Sequence, residues 1–109
     1  MSSGLLVVLC NVPDGDVAKR LTESLLQRRL VACVNQLPAI NSSYRWQGQI
    51  EQAQEIPLLF KTLEQNFSAL CQAIKAEHPY QVPEIIAVPV SHALEAYANW
   101  VKQECDVEH

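Results

Sequence analysis

The chain reads as an α+β domain with the ferredoxin-like, split βαβ order of elements, extended by one helix at the C-terminus. Three features lead there. Two short apolar stretches, residues 5–10 and 84–90, have the character of strands buried on both faces. Two segments repeat apolar residues at helical spacing, Val17, Leu21 and Leu25 in one and Leu63, Phe67, Leu70 and Ile74 in the other. Between them lies a long segment, residues 50–62, in which Ile50, Ile56, Leu58 and Phe60 occupy even positions while Glu51, Glu55 and Lys61 occupy odd ones.

In chain order, the run from Leu5 to Cys10 is stopped by Asn11 and Pro13 and is expected to be an interior strand. Asp14 can cap the first helix, and Arg28 and Arg29 are expected in its last turn, where cations favour the helix dipole. Residues 30–34 give a second strand. Residues 42–46 continue toward a turn at Gln47-Gly48. The long strand follows, with Pro57 expected at an edge or a bulge. Thr62 and Gln65 have the spacing of a capping box ahead of a helix that runs to His78. After the strand at residues 84–90, Ser91 can cap a short third helix bearing Tyr97, Trp100 and Val101.

Both main helices of this topology cover one face of the sheet. The other face must be covered by something else, because the first and last strands are apolar at nearly every position, and one short helix is too small for the task. Several copies packing their open faces together would satisfy it. Strand extensions such as residues 42–54 are suited to pairing with a neighbouring copy.

With 109 residues, 49% of them hydrophobic, the chain is expected to be a single domain over residues 1–109. Eight basic against twelve acidic side chains give a net charge of −4, which disfavours nucleic acid as a partner. The apolar N-terminal run is too short to span a membrane and lacks the pattern of a signal peptide, so a cytoplasmic protein is expected. Cys10, Cys33, Cys71 and Cys105 are widely spaced and read as reduced thiols. Cys33 and Cys71 are expected in the core and Cys105 in a fraying tail.

The chemistry concentrates in His78-Pro79-Tyr80-Gln81-Val82-Pro83-Glu84. Each proline pushes the residue before it out of the helical region, so His78 and Val82 sit on a stiff frame. The topology brings the end of the first strand, and with it Cys10, beside this loop. A thiol, an imidazole and carboxylates from Glu77, Glu84 or Asp14 would suit copper(I) or zinc better than calcium. The plainer alternative is a core thiol and a helix-ending histidine. A Cys10–His78 hydrolytic pair lacks an evident oxyanion hole, and the three glycines form no phosphate loop. His92 is a lone surface histidine. Tyr44 and Trp46 are expected at a subunit interface, and Tyr80 has the same amphipathic character.

The stretches 7–14, 29–35, 43–48, 60–62 and 78–86, which include Cys10-Asn11-Val12-Pro13-Asp14, Tyr44-Arg45-Trp46 and His78-Pro79-Tyr80, resemble the CutA family of divalent-cation tolerance proteins. The likeness runs in the same order over nearly the whole chain. It implies a ferredoxin-like subunit in a tight homotrimer, built like the PII signalling proteins and linked to copper or another divalent cation, zinc included; a non-enzymatic protein is expected. It also implies a metal site at Cys10 and His78, with Glu77 where some members carry a second histidine, and a binding loop or cleft at Tyr80, Glu84 and Lys61. The rival expectation within the same resemblance is a PII-like signalling or scaffold trimer. Its inter-subunit clefts would bind a small molecule or an unidentified partner protein, with an indirect effect on metals.

Overall fold

The computed structural model describes residues 3–105. Five strands and three α-helices follow one another as β1 (Leu5–Val12), α1 (Gly15–Gln27), β2 (Cys33–Gln36), β3 (Ile40–Trp46), β4 (Gln49–Leu63), α2 (Phe67–Glu77), β5 (Ile86–Pro89) and α3 (Glu95–Glu104), with a single 3₁₀ turn at Glu64–Asn66 ahead of α2. The antiparallel sheet has the order β2-β4-β1-β5, and β3 pairs with β4 alone. This is the split βαβ arrangement with the added helix. β1 is interior, as its apolar run required, with Leu6↔Thr62 and Val8↔Phe60 on one side and Val8↔Ala87 on the other.

α1 and α2 lie on the same face. Val17, Leu21 and Leu25 from one and Leu70, Ala73 and Ile74 from the other close over Val8, Cys10, Val12, Leu58 and Phe60. α3 packs through Ala98 and Val101 against Leu5 and Leu63, a pair at one end of the sheet. The alternation of β1, β4 and β5 places Val7, Leu9, Leu59, Ile86 and Val88 on the face away from the main helices. α3 leaves Ile86 and Val88 53% and 52% exposed there.

β4 serves two partners. Its second half pairs with β1 and β2; its first half leaves that sheet and forms a ribbon with β3, from Ile40↔Glu55 to Trp46↔Gln49. The ribbon draws the molecule out to 44 × 27 × 23 Å. It also breaks the alternation read from residues 50–62: positions 56–62 keep their phase, but Ile50 is 72% exposed and Glu55 is buried. Pro57 is not at an outer edge. Asn11 of β1 flanks it, and its other side faces a break where the partner advances from Gln36 to Ile40 while β4 moves from Leu58 to Glu55. Leu37 N–H donates to the Pro57 carbonyl across that break, and the absent proline N–H costs no ladder bond there.

The caps hold in one case and fail in three. Asp14 Oδ1 accepts from Val17 N–H at 3.0 Å, as its position required. α1 stops at Gln27, so Arg28 is its C-cap and Arg29, at φ 59°, lies beyond the helix in the left-handed region. Arg29 and Leu30 N–H donate to the Leu26 and Leu25 carbonyls, the two bonds of a Schellman motif. The Arg29 guanidinium serves another helix, donating to the Gln103 and Glu104 carbonyls at the end of α3 (2.5 and 3.0 Å). Thr62 caps nothing, since its hydroxyl donates to the Leu30 carbonyl at 2.6 Å inside β4. Ser91 bonds its neighbour His92 at 3.0 Å, and α3 starts from Leu94 without a side-chain cap. The cysteines also differ from expectation. Cys33 and Cys71 are only partly buried, whereas Cys105 is buried against α3 and Leu63.

Candidate functional site

The end of β1, the 78–85 loop and the root of the ribbon meet at one place. Leu9 pairs with Ile86, so the loop that precedes β5 passes the end of β1. His78 is the C-cap of α2, with extended backbone (φ −81°, ψ 132°), as Pro79 dictates. Its ring is 7% exposed and tilts against Tyr80 with centroids 4.7 Å apart. Nδ1 accepts the Tyr80 N–H at 3.1 Å, so the ring proton is on Nε2, which donates to the Asn11 carbonyl at 2.8 Å. Both nitrogens are committed to holding the loop on the strand.

Cys10 reaches the same place, its Sγ donating at 3.9 Å to the Asn11 carbonyl that also accepts from His78 Nε2. Its side chain belongs to the core between sheet and helices, and burial, then the charges of Glu84 and Glu55, push its thiol up to about 12. Glu77 is exposed on the last turn of α2. Cys10 and His78 therefore meet at one carbonyl, while Glu77 is exposed to solvent. A soft metal bound here would have to displace the proton of the buried thiol and a hydrogen bond of the imidazole. Among the described residues no three His, Cys, Asp or Glu side chains form a group that could hold a metal ion. Cys10 and His78 supply two such side chains at the end of β1, and no third among the described residues completes the set.

The loop and the ribbon enclose a groove of about 440 Å³. The ribbon supplies Tyr44, Trp46 and Glu55; the loop supplies Tyr80, Gln81, Val82 and Glu84. Glu55 is 8% exposed. The Tyr80 hydroxyl lies beside its carboxylate, and burial, then that neighbouring carboxylate, push the phenol up to about 12. Tyr80 and Glu84 both line this groove. Lys61 is not: it lies on the open face of the sheet, where its Nζ bonds Asn35 Oδ1. Tyr44 and Trp46 line the groove. Glu55 is the residue that the sequence did not reveal, because its odd position reads as solvent-facing; the proline two residues later, which marks the exit of the ribbon, is the available signal.

These features define a ferredoxin-like α+β subunit with a projecting ribbon and a loop-lined groove. The chain belongs to the CutA1 divalent ion tolerance protein family, whose model matches residues 6–104. It is 43% identical over 97 residues to the divalent-cation tolerance protein CutA of Thermus thermophilus, covering 89% of this chain and 94% of that one. Its fold superposes on the crystal structure of CutA from Xylella fastidiosa with a TM-score of 0.91 at 44% identity, covering 94% and 99% of the two chains. A structure described as a periplasmic divalent cation tolerance protein CutA, from Archaeoglobus fulgidus, superposes at 0.89 with 31% identity over 92% of this chain and 97% of its own. Among the described residues no helix is long and apolar enough to cross a membrane.

Proposed function

We propose that the protein acts in divalent-cation tolerance as a cytoplasmic, non-enzymatic homotrimer of the PII-like kind, and that its working site is the groove beside the His78–Glu84 loop. The observation that carries this reading is the His78 ring, whose two hydrogen bonds make it the clamp of a groove wall. The trimer is supported by the family resemblance and by the uncovered apolar face of Val7, Leu9, Leu59, Ile86 and Val88. A buried, un-ionised Cys10 argues for packing rather than nucleophilic catalysis. Unpaired thiols at all four cysteines suit a reducing compartment.

A second reading, with copper or zinc bound directly by Cys10, His78 and Glu77, is favoured by the convergence of the first two at the end of β1. It requires the imidazole to give up at least one of its bonds and the thiol to lose its proton. A competition titration of the reduced protein with copper(I), copper(II) and zinc, run beside His78→Ala, separates the two. Weak binding unchanged by the substitution supports the groove reading; tight, stoichiometric binding lost in the variant supports the direct site. Light scattering of the purified protein tests the assembly, where a mass of one subunit at micromolar concentration would remove the trimer.

A further inference from the structure

We propose that the groove between the ribbon and the 78–85 loop is a site for a small organic cation, an alkylammonium or guanidinium group, held between the rings of Tyr44, Trp46 and Tyr80 and the carboxylates of Glu55 and Glu84. The proposal rests on the reading of this groove as the working site and adds the charge and class of its ligand.

The composition of the walls carries the inference. The chain has two tryptophans, three tyrosines and two phenylalanines, and three of these seven aromatic residues line one groove. Both charged groups that line it are acids, and no lysine, arginine or histidine is among its lining residues. Glu55 is almost fully enclosed, at 8% exposure, and lines the groove together with Tyr80. A carboxylate withdrawn from water favours a cation beside it, because a charge that has lost its hydration is costly without a counter-charge. Aromatic faces provide the second half of the recognition, since the negative face of each ring attracts a cation centred over it.

The same walls select against a bare metal ion. Divalent cations of the hard type take six or more oxygen ligands and give up their water reluctantly. Two carboxylates and the Gln81 amide, set among rings and Val82, leave most of such a shell to water. An organic cation is weakly hydrated and presents an apolar surface, so rings and a valine side chain are suitable neighbours. A volume of about 440 Å³ has room for a ligand of several heavy atoms, within the usual range for small-molecule sites. Tyr80 links ligand to scaffold: its hydroxyl reaches Glu55, its ring packs on His78, and its N–H is held by His78 Nδ1.

The test uses the assembled protein carrying Trp100→Phe, so that Trp46 is the single tryptophan and reports on the groove by fluorescence. Choline and tetramethylammonium are titrated beside 3,3-dimethylbutan-1-ol, a neutral isostere of choline, and butyrate. Saturable quenching by the two cations is expected, with the neutral isostere at least about tenfold weaker, as one desolvated cation–ring contact implies. Glu84→Gln, on the exposed loop, and Glu55→Gln, which keeps an acceptor for Tyr80, should each weaken choline by about tenfold. Equal response to choline and the isostere, or binding of butyrate alone, overturns the cation class while leaving a ligand groove standing. No response to any of the four overturns both the cation site and the groove reading.

Discussion

Replacing His78 by alanine removes two hydrogen bonds and a ring that is almost fully buried. Each neutral bond contributes about 1 kcal/mol net. Loss of the ring's contacts with Tyr80 and the end of β1 adds about another 1 kcal/mol. The expected cost is therefore about 3 kcal/mol, measured as the shift of the guanidinium unfolding midpoint at constant protein concentration and constant slope. If the ring is a clamp, the same cost appears in chelator and in saturating zinc. Two further substitutions dissect it. His78→Asn can retain an acceptor near Nδ1 for the Tyr80 N–H, and His78→Gln can retain a donor near Nε2 for the Asn11 carbonyl, so each should recover about 1 kcal/mol. A variant as stable as the wild type in chelator, with a deficit that emerges only when zinc is added, would refute the clamp and restore His78 as a metal ligand.

Three other outcomes follow from the structure. Thr62→Val preserves shape but deprives the buried Leu30 carbonyl of its short bond, leaving only Asn66 Nδ2 at 3.4 Å; unfolding should become easier by about 1–2 kcal/mol, and a loss under 0.5 kcal/mol would show that the bond contributes little. Both Arg29→Ala and Arg29→Gly lose the two bonds to the end of α3, but only glycine relieves the left-handed backbone, so Arg29→Gly should be more stable than Arg29→Ala by about 1 kcal/mol in the same assay. The Cys10 thiol is raised from 9.0 to about 12 in the folded chain, so the native state holds its proton where the unfolded state has lost it. Stability from this group is complete below pH 9 and is lost as pH rises toward 12; the Tyr80 phenol, raised from 10.0 to about 12, acts in the same direction. Thermal melts from pH 8 to 11 should fall less steeply for Cys10→Ala than for the wild type, and parallel curves would mean that Cys10 ionises as freely in the fold as out of it.

The class of fold was legible because it depends on patterns that act over one element at a time. The apolar run of β1, the four-residue spacing of α1 and α2, and the cap at Asp14 each reflect local geometry that no distant contact reverses. The motif at His78 was legible for a similar reason, since prolines constrain the residue before them wherever they occur. Even the uncovered face followed from counting which strands are apolar on both sides.

The fates of individual polar groups belong to another level. Thr62 and Gln65 have the spacing of a capping box, yet a carbonyl 32 residues away in the chain claims the Thr62 hydroxyl. Arg29 is placed to favour the dipole of its own helix, and it serves the end of another. Glu55 alternates with apolar neighbours as a solvent-facing residue would, but β4 exchanges partners at Pro57, and the root of the ribbon folds that carboxylate under Tyr80. Cys10 and His78 meet at one end of β1, while their chemistry depends on the burial of the thiol and on the partners the ring nitrogens find. Periodicity and backbone restriction determined the elements and their order. Only the tertiary structure decided the partners, because a hydrogen bond or a buried charge is settled by whichever group lies within 3 Å, and adjacency in space is not written in the spacing of one segment.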